Sequence, residues 1–431
     1  MTAAHMTQQK NNPTPRNVLI TNVYSSDNKG DAALTSVLVK DIKRAFPSAA
    51  VRILSLESTR AGVFEDVPVQ PAFMAYVLNS KKNPLLKLLY ALYMVPATLG
   101  WALVYKALGW RLPLPNHLQQ VVGAYVAADL IIGVGGGYIR SRKGLVQRLN
   151  IPLLLHGLLV GRFLGKTTAL YSQSVGPFLG PLEEPMVAAV LRRMDLIILR
   201  EDVSVALLKR LGVTKNVVRS VDSGFLLASD RTANVRATYN IAKDKLLLGV
   251  TVRKWLQGEA QVAYEKAVAG ALDSAVQKLG AHVIFIPQVT AAKGDDDRQP
   301  SMRVQQYMKF ASEATVVSDT PDHHDIKSMY NELDMLLGTR FHSVIFSLTS
   351  YVPVVAIEYE HKTSGIMHDL QLDDWVIKIE DVTTDRLIRM LRRLAGERAQ
   401  YVQHLRRHLP PYVEQAHNTI QLVAQAYDAA R

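Results

Sequence analysis

The chain alternates short runs of valine, isoleucine and leucine with amphipathic helical stretches, and it does so twice. The first series opens with a strand at 17–22 and a helix at 31–46. It resumes with strands at 129–134, 168–172, 195–199 and near Val217, with helical patterns at 147–164, 181–193 and 202–211 between them. The second series places strands at 246–252, 282–287, 315–317, 334–337 and 353–357, again with helices between. Apolar runs bounded by turns and separated by helices are what parallel sheets buried on both faces require. The fold expected is therefore α/β, with one domain over 17–225 and a second over 240–380, joined near 223–245; 431 residues suffice for two cores. Residues 384–431 read as a helical tail, broken at Pro410 and Pro411, that can pack back on the first domain.

In open α/β sheets ligands gather at the carboxyl ends of strands, and two sheets facing one another bring both sets of ends to one cleft. The unusual residues of this chain fall at such ends. After the first strand come Asn28, Gly30 and Asp31, which suit either a turn with a helix cap or a contact to a sugar hydroxyl. Gly135, Gly136 and Gly137 follow the strand at 129–134, where bare backbone lets a ligand approach. Ser174 stands at another small-residue strand exit. Thr339, Arg340, His342 and Ser343 lead from an apolar strand into a helix. Arg340 there suits phosphate or carboxylate, and His342 suits proton transfer near neutrality. Glu358, Tyr359, Glu360, His361 and Lys362 crowd the end of the strand at 353–357.

Composition narrows the partners. The formal charge of +12 favours an anion: nucleic acid, membrane surface or phosphorylated substrate. No zinc-finger or basic–aromatic motif accompanies it, which leaves nucleic acid the weakest of the three. The absence of cysteine excludes disulfides and thiolate chemistry. Residues 1–16 form a polar stretch without a signal-like apolar run, so a cytoplasmic location is expected. One segment departs from the α/β rhythm. Residues 88–105 carry no formal charge, sit between Lys87 and Lys106, and contain Pro96 and Gly100. A membrane span, a buried helical pair and a hydrophobic flap on the bilayer are the alternatives. With Trp101, Trp110 and several tyrosines nearby, the flap is the expectation, as an insert at 85–110.

Together and in this order, these residues resemble the polysaccharide pyruvyl transferase family, most closely its colanic-acid-type bacterial enzymes. The carriers are Asn28 to Asp31, Gly135 to Gly137, Ser174 to Phe178, Leu199 to Glu201, Gly338 to Ser343 and Tyr359 to Met367; the likeness covers roughly 17–380. It implies two Rossmann-like domains facing across a cleft, as in GT-B glycosyltransferases, with the acceptor on the first and the donor on the second. The implied reaction adds a pyruvate ketal from phosphoenolpyruvate to a sugar of a surface-polysaccharide repeat unit, often lipid-linked, and releases phosphate. Such chemistry calls for donor-binding groups, assigned to Arg340, Thr339, Ser343, Lys362, His361, Arg253 and Arg200. His342 is the expected acid–base catalyst, with Glu360 or Asp31 orienting or deprotonating an acceptor hydroxyl. Asn28, Gly135, Gly136, Gly137 and Ser174 are expected on the acceptor side. No organic cofactor and no obligatory metal is required. The expected site of action is the cytoplasmic face of the inner membrane, with peripheral attachment. The rival readings are a glycosyltransferase using a nucleotide sugar and a non-catalytic glycan-binding protein of the membrane surface.

Overall fold

The computed structural model describes residues 14–24, 26–56, 62–78, 83–141, 150–290 and 295–431. The expected positions 1–13 and 147–149 lie outside them. The first sheet contains β1 (Asn17–Val23), β2 (Ala50–Ser55), β3 (Gly62–Phe64), β4 (Val67–Pro71), β5 (Leu130–Gly133), β6 (Gly136–Ile139), β7 (Thr167–Val175), β8 (Leu196–Leu199) and β9 (Val217–Arg219). Its order is β3-β4-β2-β1-β5-β7-β8-β9, with β6 beside β7, and every pairing is parallel except β3 with β4. The second sheet contains β10 (Leu246–Thr251), β11 (Ala281–Phe285), β12 (Ala314–Val316), β13 (Met335–Gly338), β14 (Val354–Glu358) and β15 (Val376–Lys378), all parallel, in the order β12-β11-β10-β13-β14-β15. Counted within its own sheet this is the 3-2-1-4-5-6 order of a dinucleotide-binding fold, and it has one switch point, between β10 and β13. The first sheet reverses between β1 and β5. The molecule is thus a GT-B-like pair of Rossmann-like lobes.

The strands are buried for the reason that their sequences suggest. Ile20, Ile132, Leu170 and Ile198 anchor the first core, and Val250, Phe285, Leu337 and Val355 the second. The helix Lys29–Ala45 serves both. Leu34, Leu38 and Ile42 lie in the first core, while Ala33 and Val37 lie in the second. Beside it the lobes share backbone hydrogen bonds, from Lys29 N to Gln288 O (2.9 Å) and from Thr290 N to Asp27 O (3.1 Å).

The tail departs from expectation. Residues Arg398–Ala429 form one helix that runs through Pro410 and Pro411 without a break. The two prolines deprive the carbonyls of Arg406 and Arg407 of their helical donors. Both arginines are exposed, so water can satisfy those groups. Packing on either side fixes the path: Tyr401, Leu405 and Leu409 enter the second core, and Ile420, Val423 and Tyr427 enter the first.

The apolar insert is one helix, Pro84–Leu108, capped by Asn83 and continuous through Pro96. Ala91, Met94, Thr98, Trp101 and Ala102 are buried on the first lobe, and Thr98 Oγ1 meets His156 Nε2 at 2.7 Å. It is long and apolar enough to cross a membrane, yet one face is seated on the protein and the other carries Leu85, Leu89, Leu92 and Leu103, each more than half exposed. Those four positions span 18 residues, five helical turns, and so share a face.

Candidate active site

The cleft is lined by strand exits from both lobes. At the first, Asn28 caps the helix Lys29–Ala45: its Oδ1 accepts from Gly30 N (3.1 Å) and Asp31 N (3.4 Å), and its Nδ2 donates to Asp31 Oδ2 (2.8 Å). The cap contributes about 1 kcal/mol and commits most of Asn28's polar groups to the turn. Gly30 then leaves room for a side chain from the other lobe. A Cβ built on it would lie 2.0 Å from His342 Nδ1.

His342 is held between that turn and Gly224, whose Cβ would stand 3.4 Å from His342 Cδ2. Its Nε2 is shielded from solvent and has no hydrogen-bond partner among the described residues. Burial lowers the imidazole pKa to about 3; the nearby Asp222 carboxylate opposes that shift, while Arg200 and Lys362 add to it. At neutral pH the ring is therefore uncharged, a proton acceptor rather than a resting acid.

A cationic cluster stands beside it. Arg200 Nε donates to Ser174 Oγ (2.8 Å), its Nη1 pairs with Asp222, and its guanidinium lies 5.1 Å from the Phe341 ring centroid. Lys362 Nζ lies 2.9 Å from Glu360 Oε2 and also 5.1 Å from the Phe341 centroid. The two cations meet over bare backbone, for a Cβ on Gly137 would be 3.6 Å from Arg200 Nη2 and 4.0 Å from Lys362 Nζ. Gly135, unlike Gly137, leaves no room for a side chain: its Cβ would fall 2.6 Å from the backbone oxygen of Tyr171. Arg253 stacks on Trp255 (4.9 Å) and Tyr359 (4.3 Å), and its buried Nε has no hydrogen-bond partner among the described residues. Burial alone would raise the Tyr359 phenol pKa, but Lys362, Arg253 and Arg340 outweigh it and lower the value. That phenol thus marks a strongly positive region.

Glu360 binds the cluster together across the lobes. Arg140 of the first lobe pairs with its Oε1 and Lys362 with its Oε2. Burial would raise its pKa, yet Lys362 and Arg140 bring it down to about 2. Glu360 is a fixed anion that orients two cations. His361 lies 3.4 Å from Glu201 Oε1, which raises its pKa, and together with Arg200, Asp222 and Phe341 it lines a cavity of about 360 Å³ at the lobe boundary.

Three of the expected donor-binding residues lie elsewhere than the cleft surface. Arg340 is buried. Its Nε donates to both oxygens of Asp297 (3.0 Å each), and its Nη2 bonds Asp295 (2.9 Å) and Asp297. Although burial would lower its pKa, Asp297 and Asp295 raise it above the ordinary value. Thr339 Oγ1 meets Tyr264 OH at 2.9 Å, and Ser343 Oγ donates to Arg340 O at 2.5 Å. Thr251 Oγ1, at the end of β10, accepts from Thr339 N (2.9 Å) and Arg340 N (3.2 Å). These residues build the switch-point turn that delivers His342.

Sequence reasoning missed Asp222, Arg140 and the pair Asp295 and Asp297. Asp222 follows β9 directly and caps the next turn, accepting from Gly224 N at 2.7 Å. Its position at a strand exit was the available signal. Arg140, just past β6, carried the same one.

The comparisons with known proteins agree with this architecture. The family model described as "Polysaccharide pyruvyl transferase" matches residues 28–361, from the cap of the cleft helix to His361. A curated relative, the amylovoran biosynthesis protein AmsJ of Erwinia amylovora, is 23% identical over 385 residues, covering 86% of this chain and 90% of its own. Among solved structures, a putative UDP-N-acetylglucosamine 2-epimerase of Listeria monocytogenes superposes with a TM-score of 0.61 at 9% identity, over 95% of each chain. Alr3699/HepE of Anabaena, solved with UDP-glucose, gives 0.57 at 12% identity over 96% of this chain and 98% of its own. At such identities these structures establish the shared fold alone.

Proposed function

This chain belongs to the polysaccharide pyruvyl transferase family, and we propose that it transfers pyruvate from phosphoenolpyruvate to a sugar of an exopolysaccharide repeat unit as a ketal. The observation that carries this reading is the meeting of Arg200 Nη2 and Lys362 Nζ over Gly137. Phosphoenolpyruvate presents a phosphate and a carboxylate on one small carbon skeleton. Two cations from different lobes beside one stretch of bare backbone, with Arg253 nearby, suit that pair of anions. The relationship to a protein of amylovoran biosynthesis supports a polysaccharide acceptor.

In the proposed reaction one sugar hydroxyl adds to C2 of the donor while C3 gains a proton. A second hydroxyl of the same sugar then bonds to C2 as the C2–O bond to phosphate breaks. One hydroxyl proton has gone to C3 and the other leaves with phosphate, so the balance closes. In this reading neutral His342 takes the first hydroxyl proton and passes it to C3, and the anionic donor would raise its basicity as it binds. Glu360 positions Lys362 and Arg140, and Asp222 positions Arg200.

The exposed leucine stripe of the helix Pro84–Leu108 supports peripheral attachment to a membrane, where a lipid-linked acceptor would present its sugar. The decisive experiment incubates the protein with phosphoenolpyruvate and extracted lipid-linked oligosaccharides. Mass spectrometry should find the mass gain of a pyruvate ketal together with released phosphate. Consumption of a nucleotide sugar instead, or glycan binding without turnover, would overturn the reading.

A further inference from the structure

Beside the helix Lys29–Ala45, outside the cationic cluster, three side chains from two lobes converge. Glu65 sits in the turn between β3 and β4, where both it and Asp66 adopt left-handed backbone angles (φ 50° and 61°). A hairpin turn of that kind ordinarily takes glycine, asparagine or aspartate. Its carboxylate reaches the second lobe, where Oε1 lies 3.1 Å from His323 Nε2 and 3.0 Å from His324 Nε2. The ligating atoms of all three lie within 4.8 Å of one another.

The hydrogen-bond inventory at His324 is the informative part. Its Nδ1 lies 3.2 Å from the carbonyl oxygen of Ala228, which can only accept. A neutral ring must therefore carry its proton on Nδ1, leaving a lone pair on Nε2. That lone pair faces a carboxylate oxygen at 3.0 Å, and the same oxygen already accepts from Ser36 Oγ at 2.9 Å. Two acceptors at this separation need either a second ring proton or a metal ion between them. A backbone carbonyl on the far nitrogen is also the usual orienting partner of a metal-bound histidine. Ligand atoms about 2.0–2.2 Å from a tetrahedral ion stand about 3.3–3.6 Å apart, close to the spacings seen.

We infer that Glu65, His323 and His324 form a binding site for a divalent transition-metal ion of the zinc class, which ties the β3–β4 hairpin of the first lobe to the second. Two imidazoles and one carboxylate select such an ion over magnesium or calcium. The second lobe holds its ligands in place. Asp322 Oδ1 accepts from His324 N at 2.8 Å, Arg231 fixes Asp322 at 2.8 Å, and Phe64 stacks on His323 with centroids 5.7 Å apart. A groove of about 790 Å³ bordered by Lys29, Lys40 and Arg231 gives an ion access. The site takes no part in the ketal chemistry, and its test stands apart from that proposal.

The full chain is stripped with a chelator and titrated with cobalt(II) alone, following the visible ligand-field absorption. Saturation at one ion per chain is expected. His324→Ala and Glu65→Gln should each weaken binding by at least about 100-fold, since even outer-shell changes cost about 10–100-fold. Zinc(II) should raise the melting temperature of the parent and leave both variants unmoved. Glu65→Gln preserves side-chain size and an acceptor for Ser36, so it decides the matter if His324→Ala fails to fold. No saturable site, or one that both variants retain, overturns the inference. So does a melting temperature indifferent to chelator and zinc, which would mean that His324 is instead an imidazolium paired with Glu65.

Discussion

Gly30 of the first lobe and His342 of the second are pressed together so closely that a Cβ on Gly30 would fall 2.0 Å from His342 Nδ1. The helix that Gly30 opens would itself accept alanine readily. Gly30→Ala should therefore act through the imidazole, forcing it off its position. A displacement of 1 Å can cost about 100-fold in rate, and a fall of that order in pyruvyl transfer is expected, with a smaller loss of melting temperature. Unchanged turnover would show that the position of His342 is immaterial.

His342→Ala and His342→Gln should both reduce turnover by about 10²–10⁴-fold, the usual contribution of a general base. Donor affinity, measured by calorimetry, should stay nearly constant, because the cations that surround the site remain. A rate within about threefold of the parent, far below that range, would transfer the role to His361.

Lys362→Ala should weaken phosphoenolpyruvate binding by about 2 kcal/mol or more through loss of a charge-assisted contact, and Arg200→Ala should do the same while also leaving the buried Asp222 without its cation. Arg340→Ala should cost stability without weakening donor binding. It leaves Asp297 buried without its cation, a change that typically costs about 3–5 kcal/mol of stability. Thermal melting and donor titration on the same three proteins separate these roles. A stable Arg340→Ala variant with weakened donor binding would contradict the assignment.

Two histidines, His156 buried and His342 half-buried, set an acid limit. Burial lowers the pKa of His156, like that of His342, to about 3, against about 6.5 in an unfolded chain. Between those values the unfolded state binds more protons, so stability is full above about pH 6.5 and falls as the pH drops toward 3. His156→Phe should flatten part of that slope in denaturant titrations from pH 7 to 4. An unaltered slope would show that His156 is not buried neutral.

The leucine stripe gives a further test. Leu89→Glu with Leu92→Glu changes exposed positions, so stability should move by no more than about 0.5 kcal/mol per site. Sedimentation with anionic vesicles should be abolished. Vesicle binding that survives would place the membrane contact on another surface.

The sequence by itself determined the two parallel sheets, because strands buried on both faces must be continuously apolar and the crossover helices between them amphipathic. It also placed the chemistry at strand exits, where β13 runs into the helix Phe341–Leu348 and β14 into the helix Lys362–Asp369. The strands β2, β3 and β4 were harder to read. β2 carries Arg52, and β3 has only three residues, so neither shows a sustained apolar period. Tertiary structure alone decided which charges are spent. Arg340 has the right type and position for an anion site, yet Asp295 and Asp297, more than 40 residues away in the chain, close on it. Arg200 and Lys362, separated by 162 positions, come together over Gly137 while keeping Asp222 and Glu360 as partners. Periodicity reports which face of an element is buried, whereas pairing among distant polar side chains depends on how the two lobes dock. That docking is set by Ala33 and Val37 entering the second core from a helix of the first, and local sequence carries no record of it.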